Sequence, residues 1–170
     1  MASLMSNLLE VLGREEKEYR KLLELSESKK TALIKADIET LEDITSREQD
    51  VSSVLLNLEH KREKIMDDMS VVLNKPKEEL TLQKMIEILN KQPEEQQRLK
   101  EIRERLGTTV REVSAANEQN RVLTQQALEL VEYDLNLFRS LRQAPETANY
   151  DRRAANTGDL LGSSGFDAKQ

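Results

Sequence analysis

The stretch LKEIRERLGTTVREVSAANEQNRVLTQQALELVEYDLNLFRSL, residues 99–141, decides the fold. Within it Leu99, Ile102, Leu106, Thr109, Val113, Ala116, Asn120, Leu123, Ala127, Leu130, Asp134, Leu137 and Leu141 step by three and four residues without a fault. That spacing returns to one side of an α-helix and is the seam of a long helix packed on another. A strand would alternate every second residue, and nothing here does. Gly107 falls beside the seam and costs about 1 kcal/mol against alanine inside a helix, which marks a bend without ending it. Pro93 with Glu94 and Glu95 supplies a proline and acidic first turn, and Pro145 closes the segment.

Upstream the same pattern recurs. Leu41, Ile44, Glu48, Val51, Leu55, Leu58, Arg62, Ile65 and Met69 form a second seam, with Glu48 and Arg62 as charged interruptions. Asp37 is placed to cap this helix at its start, and Pro76 stops it. Leu4, Leu8, Val11, Leu12, Tyr19, Leu22, Leu23 and Leu25 give a first helix its apolar face. Leu80, Leu82, Met85, Ile86, Ile88 and Leu89 read as a short apolar helix suited to capping the open end of a hairpin. Helices are therefore expected over about 3–35, 38–73, 78–91 and 94–143. The fold class is all-α: an elongated antiparallel hairpin or bundle of three long helices plus one short helix, forming one domain over 1–144. Residues 145–170, rich in Gly, Ser, Asn and Thr, bury too little apolar surface to order themselves and are expected as a flexible tail.

Composition agrees and removes several functions. The 170 residues hold only 5 Gly and 3 Pro, and between Arg14 and Gln143 the breakers are Pro76, Pro93 and Gly107 alone. Compact α/β folds need far more turns, so a nucleotide-binding fold is not expected. There are no cysteines, which removes disulfides and thiolate metal sites and fits a reducing compartment. The balance of 26 Lys and Arg against 32 Asp and Glu has the wrong sign for phosphate-driven nucleic-acid binding. No apolar run approaches the ~18 residues of a membrane span, and the opening residues lack the basic start of a signal peptide. The expected address is the cytoplasm, without direct membrane insertion.

Candidates for chemistry are few. His60 lies just off the second seam, where a solvated helix-face histidine is the ordinary reading. Asp67-Asp68 and Glu78-Glu79 are adjacent, so on a helix they diverge by about 100° and form no acid–base pair. Arg98, Lys100, Arg103 and Arg105 are interleaved with Glu94, Glu95, Glu101 and Glu104, which intrahelical ion pairs explain. Arg62, Asn120 and Asp134 at seam positions are candidates for setting register. No catalytic residue, metal ligand or cofactor site emerges, and the chain is not expected to be an enzyme.

One segment carries more apolar surface than a seam requires. From 127 to 141 a second row, Leu128, Val131, Leu135 and Phe138, runs one residue out of phase with the seam; nine of these fifteen positions are apolar or aromatic, against six over 109–123. Two per heptad suffice for packing. Either this end packs against both other long helices, or it offers a face to an amphipathic helix of a partner.

Three local patterns give the chain a resemblance to the FlgN family of flagellar export chaperones. Leu33-Ile34 precedes Asp37, with Leu41, Ile44 and Glu48 after it; Leu58 and Arg62 follow; then Asn117, Asn120, Leu123 and Ala127-Leu128 lead into the leucine-rich end, with Tyr150-Asp151 just beyond. The resemblance implies a chaperone that holds hook–filament junction proteins by their C-terminal helices, prevents premature association and delivers them to the membrane-embedded export gate. On that analogy Leu128, Val131, Leu135, Phe138 and Leu141 contact the substrate and Tyr150 docks at the gate. The tail with Leu160, Leu161 and Phe166 departs from the family pattern. The rival reading is a homo-oligomeric coiled-coil scaffold, against which stands the broadening of the stripe at one end only.

Overall fold

In the computed structural model the described residues are 2–143, and they contain α-helix and short 3-10 turns with no strand among them. Helix α1 spans Ala2–Lys35, α2 Ile38–Leu73, α3 Leu82–Ile88 and α4 Pro93–Gln143. The tail expected over 145–170 lies outside the described residues. The chain falls into two units, Met1–Ala127 and Leu128–Gln170.

Both long turns are built the same way. After α1, Ala36 takes a left-handed conformation with φ 53° while its N–H donates to Leu33 O and the Asp37 N–H donates to Ala32 O. After α2, Asn74 does likewise with φ 51°, the Asn74 N–H donating to Val71 O and the Lys75 N–H to Ser70 O. These paired bonds satisfy the carbonyls that a helix end leaves open. Asp37 then starts α2 as expected: its carboxylate accepts from the Thr40 N–H at 3.1 Å and from the Thr40 hydroxyl at 2.7 Å, which holds its pKa below the ordinary range.

Asparagine tolerates the left-handed region, but alanine pays for its Cβ there. Ala36→Gly is therefore expected to stabilise the chain by roughly 0.5–1 kcal/mol, the relief of strain less the added freedom of the unfolded chain. Urea unfolding measures it, and an unchanged or lower midpoint contradicts the account.

In the first unit α1 lies between two neighbours. Met5, Leu8 and Leu12 of α1 meet Met66 and Met69 of α2, Leu99 and Ile102 of α4, and Leu80, Met85, Ile86 and Leu89 of the short segment in one buried cluster. A smaller cluster joins Leu25 and Ala32 to Ile44. Helix α2 thus runs antiparallel to α1, and α4 runs parallel to it. The short segment closes one end, as its apolar residues suggested, but it is not one helix over 78–91. A 3-10 turn, Lys77–Glu79, precedes Leu80; Thr81 caps α3 by accepting from the Lys84 N–H; and a second 3-10 turn, Leu89–Lys91, leads to Pro93. The Gln96 side chain donates to Ile86 O at 2.7 Å and ties α4 to this cap. Helix α4 continues through Gly107.

The polar seam positions have partners on α1. Lys29 Nζ lies 2.7 Å from Glu48 Oε2, and Arg62 Nε donates to Glu15 Oε1 at 3.0 Å. Asn120 is buried and its Nδ2 donates to the Ser26 carbonyl at 2.7 Å, while the Ser26 hydroxyl donates to Asn117 Oδ1 at 3.1 Å. Asp134, expected with Arg62 and Asn120 as a register position, is instead exposed.

Candidate partner-binding face

The α4 seam changes character along its length. Leu99, Ile102, Thr109, Val113, Ala116 and Asn120 are buried, and Leu106, Leu123 and Ala127 are half-buried. Every described residue from 128 to 143 is exposed. The helix persists because these residues include strong helix formers, Leu, Glu, Arg and Gln, with no Gly or Pro among them.

The exposed part is not a polar surface. Leu128, Leu130, Val131, Leu135, Leu137, Phe138 and Leu141 are all exposed, as is Tyr133. At 3.6 residues per turn, Leu130, Val131, Leu137 and Phe138 lie within about 60° of one another's common centre line, with Leu128 and Leu135 about 100–120° to one side. This is a continuous apolar face several turns long. An isolated exposed leucine needs no explanation, but a contiguous row marks an interaction surface. Among the described residues this end of α4 fills no core.

Of the residues expected to bind a partner, Leu128, Val131, Leu135, Phe138 and Leu141 share this segment of α4. Leu130 and Leu137, read from the sequence as packing seam, belong to the same exposed surface. Tyr150, Leu160, Leu161 and Phe166 lie outside the described residues.

A groove of about 440 Å³ in the first unit is lined by Tyr19, Leu55, Leu56, Leu106 and Val110 beside the Glu15–Arg62 pair, and a larger depression of about 690 Å³ by Arg20, Glu101, Glu104, Arg105 and Glu112. Thr108 and Thr109 also line the larger depression and Ser52 and Glu59 the smaller groove, but the Thr108 hydroxyl accepts from Arg111 and none of these hydroxyls is seen to donate to a carboxylate. His60 is exposed on α2, and among the described residues no group of three His, Asp or Glu is placed to hold a metal ion. No helix of the described residues is long and apolar enough to cross a membrane.

Comparison with curated proteins and with solved structures gave no significant match. A family model described as FlgN protein matches residues 1–158, which includes all of the described helices and the asparagine pair that grips Ser26. The chain belongs to the FlgN family of flagellar export chaperones.

Proposed function

We propose that this chain is a cytoplasmic chaperone for hook–filament junction proteins. It binds their C-terminal helices on the α4 face formed by Leu128, Val131, Leu135, Phe138 and Leu141, and releases them at the membrane-embedded export gate, where Tyr150 docks. The observation that carries this reading is the row of exposed apolar side chains over 128–141, set in a chain whose family consists of export chaperones.

The mechanism is physical. A terminal helix with its own apolar stripe self-associates when free, and laying that stripe on α4 removes it from water and from other copies. The complex must come apart at the gate. A single helix face gives contacts that are apolar but open at both sides, and such an interface dissociates more readily than an enclosed one. Binding therefore needs no bound cofactor and no covalent step.

Light scattering on the purified full chain, alone and with a junction protein, tests the proposal. A monomer that becomes a 1:1 complex supports it. A tight homodimer that ignores the junction protein overturns it in favour of a homo-oligomeric scaffold.

A further inference from the structure

The apolar face of α4 has a carboxylate at its centre. Asp134 is exposed, and its helical neighbours at three and four residues on either side are Leu130, Val131, Leu137 and Phe138. Each of these lies within about 60° of Asp134 around the helix, and Ala127 and Leu141 within about 20°. Of the other charges over 128–143, Glu129, Glu132 and Arg139 project roughly 140–160° away, and Arg142 lies about 80° round and eight residues, about 12 Å, along the helix. Asp134 thus has no cation among the positions from which its own helix offers an ion pair.

A helix docked along the row of Leu130, Val131, Leu137 and Phe138 covers Asp134 whatever its register, because the residue sits on the centre line of that row. Opposite an apolar residue the carboxylate loses water and gains nothing, which is costly. Opposite a glutamate it is repelled. Opposite a lysine or arginine it gains a charge-assisted hydrogen bond inside an apolar border that shields it from solvent.

Two copies of this chain meet the same obstacle. The stripe from 127 to 141 is symmetric about 134, so parallel in-register pairing and antiparallel pairing with 127 opposite 141 both bring Asp134 against Asp134. Shifting by a heptad separates the carboxylates but leaves about half of the stripe uncovered.

We propose that Asp134 is the specificity determinant of this face: the helix it accepts carries a lysine or arginine within its own apolar stripe, and the same carboxylate keeps two copies of this chain from pairing there. The inference rests on α4 being the partner-binding face and adds the chemistry of what it binds. Like charge across an interface rejects wrong partners, and one polar residue in a helical seam selects among pairings that apolar residues alone leave equal.

Two synthetic amphipathic peptides, about three heptads long with leucine seams, test it on the full chain. They are identical except that the central seam residue is lysine in one and glutamate in the other. By calorimetry the wild-type chain is expected to bind the lysine peptide at least tenfold more tightly, Asp134→Lys to reverse the order, and the double variant Val131→Ser, Phe138→Ser to lose both peptides. Equal binding by wild type, or an unchanged order in Asp134→Lys, overturns the role of Asp134 while loss in the serine variant still upholds the face. Failure of wild type to bind either peptide, or binding that the serine variant keeps, overturns the face itself and this inference with it. In sedimentation equilibrium Asp134→Leu is expected to dimerise where wild type stays monomeric; a wild-type dimer that the serine variant breaks overturns the second half of the proposal.

Discussion

Replacing Val131 and Phe138 together by serine is expected to weaken binding of a hook–filament junction protein by a hundredfold or more, with the unfolding midpoint nearly unchanged. Val131 and Phe138 are 55% and 63% exposed, so the free chain gains little from either. Docking a helix over them buries two large apolar side chains. At about 1.5–3 kcal/mol for each fully buried side chain, and less for each one already partly shielded, the pair contributes roughly 3 kcal/mol, which is about two orders of magnitude in Kd. Substitution at exposed helix positions away from caps and cores costs within about 0.5 kcal/mol per site, enlarged here only by the weaker helix propensity of serine. The two quantities are measured on the same sample by titration calorimetry and urea unfolding. Intact binding refutes the face, and a large loss of stability with intact binding shows these residues to be core.

How much of this the residues disclosed in advance depended on distance along the chain. The seams of α2 and α4 were legible because heptad spacing is a local pattern, and Leu58, Met69, Leu99 and Val113 are buried where it puts them. The caps were legible only in part. Asp37 announced itself by type, whereas nothing about Ala36 signals a left-handed residue, since the conformation goes with the bonds that the Ala36 and Asp37 N–H groups donate to the Leu33 and Ala32 carbonyls. Glu48, Arg62 and Asn120 stood out as polar residues in apolar seams. Their partners Lys29, Glu15 and Ser26 did not, because those lie 19, 47 and 94 residues away and look like ordinary polar residues of α1. Asp134 carried the same seam signature as Asn120 and has a different environment. Periodicity specifies which side of a helix a residue occupies and leaves open whether anything lies against that side. The surplus of apolar residues after Ala127 was the sole sequence feature that distinguished the two cases.

Removing the guanidinium of Arg62 is expected to be the most destabilising of these changes. Glu15 has a side chain only 6% exposed and donates nothing; it accepts from Arg62 Nε at 3.0 Å, while Arg62 itself is 35% exposed. Arg62→Ala strands the carboxylate against the α2 seam, at a cost of roughly 2–3 kcal/mol, below the 3–5 kcal/mol of a fully buried pair because Arg62 is partly hydrated already. The double variant Glu15→Leu, Arg62→Leu should recover most of that loss, since apolar residues of similar size often replace a buried pair without penalty. What the pair contributes instead is register. Its residue numbers add to 77, and so do those of Lys29 and Glu48, so both bridges specify one antiparallel alignment of α1 and α2. A slip of one heptad would set Glu15 opposite Met69 or Leu55 and Arg62 opposite Leu22 or Leu8, exchanging two ion pairs for buried charges against apolar residues. Leucine in place of Glu15 and Arg62 removes only that pair's share of the penalty; leucine in place of Lys29 and Glu48 as well removes both bridges, while the heptads, which repeat every seven residues, are indifferent to the slip. The double variant is therefore expected to keep a near wild-type urea midpoint with one set of amide NMR signals, and the quadruple variant that also carries Lys29→Leu and Glu48→Leu to show extra or broadened amide signals along α1. A quadruple variant that is both stable and spectrally unique would mean that apolar packing alone fixes the alignment.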